Sequence, residues 1–109
     1  MKNILVSLLL VPVMANAEFV TGNKLLKDIQ SRETINLAFA MGYIAGVADA
    51  NQSIRYCPPE GIVLSQLRDM AEQYLIANAS TRNLSADVLL GDMLSTRWPC
   101  STPPRGTGV

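Results

Sequence analysis

Two cysteines, Cys57 and Cys100, stand 43 positions apart in a chain of 109 residues and are the only two it has. What they can do depends on the compartment, and the first residues point to one. Lys2 and the amino terminus make a short positive region, Ile4 to Met14 form an apolar run broken by Ser7 and Pro12, and Ala15-Asn16-Ala17 gives the small-x-small pattern of a signal peptidase site. Residues 1–17 therefore read as a signal peptide cleaved before Glu18. The apolar run is about half the roughly 20 residues that a spanning helix needs, and no cysteine follows the cleavage point to carry a lipid anchor. In an oxidising periplasm two thiols are most simply a disulfide. Closing a loop this long stabilises a fold by about 4 kcal/mol in the chain-entropy model, which is comparable to the whole net stability of a domain of this size.

Removing the leader takes Lys2 and no acid, so residues 18–109 keep eight basic against nine acidic side chains, a net charge of −1. That length supports one domain and one modest core. A balanced charge, with the basic residues scattered and not interleaved with aromatics, leaves no footprint for nucleic acid or anionic lipid.

The exported region carries helical spacing and no strand-like alternation. A first helix is expected over about Thr21–Gln30, with Leu25, Leu26 and Ile29 on one face. A second runs from Thr34 to about Asn51 and is apolar nearly all round, the mark of a helix at the centre of its domain. Along it Ala38, Gly42, Gly46 and Ala50 follow at steps of four, a row that lets another backbone approach closely; packing within the core is the expectation. A third helix, about Val63–Asn78, places Leu64, Leu67, Ala71, Tyr74 and Leu75 on one stripe. A fourth, about Leu84–Trp98, does the same with Ala86, Leu89, Leu90, Met93 and Leu94, with Asp87 in its first turn and Arg97 in its last, the signs that a helix dipole favours. Pro99 ends it. The expected fold is all-α: a small single-domain bundle of about four helices with one disulfide, spanning residues 18–100, followed by a flexible tail at 101–109.

Catalytic groups are scarce. Without histidine there is no Ser-His or Cys-His pair, the thiols lack the Cys-x-x-Cys spacing of a redox pair, and two thiols alone do not make a zinc site. Asp69 and Glu72 share a helix face, but charges at that spacing belong on a solvated surface. Asp49 interrupts an apolar helix and is expected to pair with backbone amides or with Arg55. No enzyme activity, metal or cofactor is expected.

The succession Gly42-Tyr43-Ile44-Ala45-Gly46-Val47-Ala48-Asp49-Ala50, then Tyr56-Cys57-Pro58-Pro59-Glu60-Gly61, then Gln66-Leu67-Arg68-Asp69, and finally Trp98-Pro99-Cys100 closely resembles the Rap/Tai family of periplasmic immunity proteins. The resemblance covers essentially the whole exported chain, from Thr21 to Cys100. It implies a small, all-helical and commonly homodimeric protein that binds a cognate peptidoglycan amidase delivered by type VI secretion and blocks its active-site cleft. The family pattern usually carries a further cysteine pair, where this chain has Ile29 and Met41. A blocker needs shape and a few anchors, not titratable chemistry. The candidate partner-binding residues are Arg55, Tyr56 and Glu60 in the Asn51–Glu60 loop, with Arg82 in the Ala79–Asn83 turn as a second surface. Trp98 reads as a lid on the core beside Cys100. The alternatives are a periplasmic acid-stress chaperone, which without histidine would have to switch on carboxylates, and a small envelope enzyme, disfavoured by the missing catalytic groups.

Overall fold

The computed structural model describes residues 19–101, so the leader over residues 1–17 and the tail beyond Ser101 lie outside the described residues. Four α-helices follow in order: α1 over Gly22–Ile29, α2 over Thr34–Asn51, α3 over Leu64–Ala77 and α4 over Ala86–Arg97. Each helix packs against the other three. A short 3-10 helix, Ala79–Thr81, joins α3 to α4.

The first turn of a helix leaves backbone donors without partners, and α1 satisfies its own from a distance. Thr21 caps it by accepting from the Lys24 amide at 3.1 Å. The Gly22 and Asn23 amides donate to the carbonyls of Leu84 and Arg82, each at 2.9 Å, and the Ala86 amide returns to Val20 at 2.7 Å. Gly22 makes this seam possible, since a Cβ there would lie 2.6 Å from Leu89 Cδ1 and 2.8 Å from the Arg82 carbonyl oxygen. The start of α1 is thereby joined to the connection between α3 and α4.

The expected stripes of α1, α3 and α4 face one core. Leu25, Leu75 and Leu90 are its fully buried large side chains, with Ile29, Leu67, Ala71, Ala86, Leu89, Met93 and Leu94 around them. Ile29 is among these buried residues, and Met41 is half-buried on α2. Asp28 is the buried charge of α1, 3% exposed, and Lys24 one turn earlier meets its carboxylate at 2.6 Å. The Lys24 ammonium also lies 5.2 Å from the centre of the Phe39 ring.

Helix α2 corrects the expectation of a buried centre. Only Ala40, Ile44 and Ala48 are buried; Ile35 is 74% exposed and Phe39 46%. Among the described residues the row Ala38, Gly42, Gly46 and Ala50 is exposed along its whole length, and a Cβ at either glycine would meet nothing within 4 Å. The physical reason is coverage. The three other helices pack on one side of α2, and a helix that is apolar all round then leaves its second apolar face uncovered.

The disulfide forms between Cys57 and Cys100. Beside it the Cys57 amide donates to the Trp98 carbonyl at 2.8 Å. The Tyr56 and Trp98 rings lie 6.3 Å apart, with Trp98 half-buried against the core. Among the described residues no helix is long and apolar enough to cross a membrane.

Candidate functional site

The loop after α2 begins with a tight turn whose backbone is satisfied from within. The Ser53 amide donates to the Tyr56 carbonyl at 2.7 Å, and the Ile54 and Arg55 amides both donate to the Asn51 carbonyl, at 3.0 and 2.8 Å. The Asn51 side-chain amide donates to the Val47 carbonyl at 2.8 Å, tying the turn to the last turn of α2. Ser53 takes φ +66°, in the left-handed region that non-glycine residues seldom occupy. At the tip Ile54 is 76% exposed.

Of the expected contact residues in this loop, Tyr56 has a different place. It is 3% exposed, and its hydroxyl donates to the Ala48 carbonyl at 2.8 Å. Burial pushes its phenol above the ordinary tyrosine range, and the nearby Asp49 charge adds to the rise. The hydroxyl therefore stays a donor well past neutral pH and holds the loop from beneath. An aromatic ring with a satisfied hydroxyl in a small core is worth more as packing than as exposed contact area.

Arg55 lies across α4. Its guanidinium covers the backbone at Gly91, where a Cβ would fall 2.8 Å from Cζ and closer still to Nη1. Arg55 Nη2 stands 3.6 Å from Asp92 Oδ1, with both side chains about half exposed. The expected pairing of Asp49 with Arg55 or with backbone amides is thus corrected: Arg55 turns to Asp92, and Asp49 is exposed with no hydrogen bond or ion pair among the described residues. Asp49 instead shares with Glu60, the third expected contact residue, a hollow of about 220 Å³ walled by Gln52, Tyr56, Pro58 and Pro59. Glu60 is exposed and likewise without a partner among the described residues.

Arg82 belongs to the scaffold at the opposite end of the connection. Its Nε donates to Asn23 Oδ1 at 3.1 Å and its Nη1 to the Leu75 carbonyl at 3.0 Å, so it caps α3 while gripping α1. The remaining carboxylates are spread out: Asp69 pairs with Arg68 at 3.0 Å, and Glu72 accepts from Gln30 at 3.1 Å. Among the described residues no three His, Cys, Asp or Glu side chains are grouped to hold a metal ion. A second hollow, about 450 Å³ and mostly apolar, opens between α3 and α4 beside Met70, Tyr74, Met93 and Arg97.

Three residues of this site went unmarked in the sequence. Ile54 carried a signal, an apolar side chain in an otherwise polar loop. Gly91 carried another, a glycine inside a helical stripe, where it costs helix propensity unless something needs the space. Asp92 carried none, because its partner is 37 positions away in the chain.

The arrangement is a pinned loop with Arg55 turned to Asp92 and with the Asp49 and Glu60 carboxylates unpartnered among the described residues. No curated protein matches the chain. The family model of the Rap1a immunity proteins matches residues 21–100, which take in all four helices, the pinned loop and both cysteines. The chain belongs to the Rap1a immunity protein family.

Proposed function

We propose that this chain is a periplasmic immunity protein that binds a peptidoglycan amidase effector of a type VI secretion system and occludes its active site. The family match over residues 21–100 carries this reading. The leader pattern of residues 1–17 supports export, and a disulfide suits an oxidising compartment. The protein acts by shape and needs no catalytic group of its own. The Asn51–Glu60 loop is the occluding element. Arg55 and Glu60 meet the toxin, Tyr56 fixes the loop from beneath, and Arg82 steadies the 79–83 turn as a secondary surface. Fastening the loop by the disulfide and by the Tyr56 hydroxyl reduces the ordering cost on binding.

The exposed face of α2 adds a second copy to the account. Among the described residues a Cβ at Gly42 or Gly46 would meet nothing within 4 Å, and Ile35 and Phe39 nearby on the helix are exposed. A row of small residues on one helix is self-complementary, because the same row on a two-fold partner offers the matching groove. The protein is therefore a homodimer through α2. The experiment for the function is protection: a bacterial host exporting the product of the adjacent gene should lyse, and co-export of this chain should prevent lysis. Lysis despite export of the folded chain would contradict the reading.

A further inference from the structure

We propose that the turn Gln52–Tyr56 is a rigid two-point plug, with Ile54 as its apolar anchor and Arg55, seated by Gly91 and Asp92, as its charged one. Its shape fits a concave site on a protein partner that offers an apolar pocket with a carboxylate beside it. The inference rests on the immunity reading and names the atoms that enter the toxin.

Preorganisation is the first ground. Every backbone amide from Ser53 to Arg55 is bonded inside the turn, so the turn gives up no backbone freedom on docking. Ser53 holds an unfavourable φ of +66°, a conformation that persists only where its surroundings over-determine it and that clusters at binding sites. The segment is fastened below by the Tyr56 hydroxyl and beyond by the disulfide. A loop built this firmly nevertheless presents Ile54 at 76% exposure, where it contributes nothing to the core.

Gly91 is the second ground. An arginine usually has to surrender several rotatable bonds when it binds. Here the bare backbone at Gly91 gives the guanidinium a seat that any Cβ would fill. Glycine inside a helix lowers helix stability, and the half-exposed Arg55–Asp92 pair adds little in return. The seat thus does more for the direction of Arg55 than for the fold. At 3.6 Å Asp92 orients the guanidinium without taking a close hydrogen bond, which leaves the donor fork free for a carboxylate of the partner. Gly91 and Asp92 are positioning residues, and Ile54 and Arg55 are the contacts.

The test is calorimetric titration of the full exported chain with the purified product of the adjacent gene, for wild type, Ile54→Ser, Arg55→Ala, Gly91→Ala and the Arg55→Ala/Gly91→Ala double variant. Ile54→Ser should weaken binding by at least about tenfold with an unchanged melting temperature. Gly91→Ala should cost about as much affinity as Arg55→Ala, and the double variant should bind no worse than Arg55→Ala alone. Wild-type affinity in Ile54→Ser and Gly91→Ala would overturn the plug while leaving the immunity reading in place. So would a Gly91→Ala loss that persists in full without Arg55, or an Ile54→Ser variant that loses only self-association. Failure of the wild type to bind would overturn both.

Discussion

Replacing Cys57 and Cys100 with serine isolates what the covalent link contributes. Cys57 is exposed and Cys100 half-buried, so hydroxyls at those positions lose little to desolvation. The link spans a sequence separation of 43, and the chain-entropy relation for a loop of that length gives about 4 kcal/mol at 25 °C. Two neighbouring contacts survive the change, the Cys57 amide to Trp98 and the Tyr56 hydroxyl to Ala48, so the folded geometry of the loop should persist. The loss should appear in the unfolded state. For a domain of this size, each kcal/mol moves the melting temperature by roughly 4–8 °C, which sets the expected fall at roughly 15–30 °C. Thermal unfolding followed by circular dichroism reads it directly, and reductant should lower the wild-type midpoint to that of the variant while leaving the variant unmoved. A fall of only a few degrees, or a wild type indifferent to reductant, would refute the reasoning.

Other perturbations test other parts. Lys24→Met strands the buried Asp28 carboxylate and should cost about 1–3 kcal/mol in chemical denaturation, whereas an unchanged midpoint would mean that water reaches Asp28. Tyr56→Phe removes one buried hydrogen bond and should cost about 1 kcal/mol. Burial raises the phenols of Tyr43, Tyr56 and Tyr74 above their ordinary value of 10.0. The folded state therefore holds those protons more tightly, so the stability they contribute is complete below pH 10 and falls as pH climbs through the raised values. Tyrosinate absorbance in native and denatured protein should show the displaced titration, and coincident curves would contradict it. Gly46→Arg places a large charge in space open within the monomer, so it should abolish dimer sedimentation while thermal stability of the fold changes by less than about 1 kcal/mol.

The helices were legible in the sequence where polarity alternates with the helical period. The stripes of α3 and α4 predicted their buried residues, and α2 appeared with its bounds intact because Thr34–Asn51 contains no proline. Its orientation was not legible. A segment apolar on every side does not say which side its neighbours cover, and the glycine row fits an internal or an external seam equally well. The site was half legible for a related reason. The loop was visible from its prolines, its cysteine and its arginine, but Arg55 over Gly91 and Arg82 on Asn23 are contacts between segments far apart in the chain. Local pattern cannot tell an arginine that grips its own fold from one that awaits a partner. Tyr56 shows the same ambiguity, since a tyrosine beside a cysteine packs inward or outward according to acceptors such as the Ala48 carbonyl that only the fold supplies.

Inhibition by stoichiometric occlusion can be read in a single titration. Peptidoglycan cleavage by the purified product of the adjacent gene should be followed as the exported protein is added at fixed enzyme concentration. Activity should fall linearly to zero, complete at one equivalent of immunity protein chain per amidase and independent of substrate concentration. Undiminished cleavage at a large excess of folded protein would contradict it.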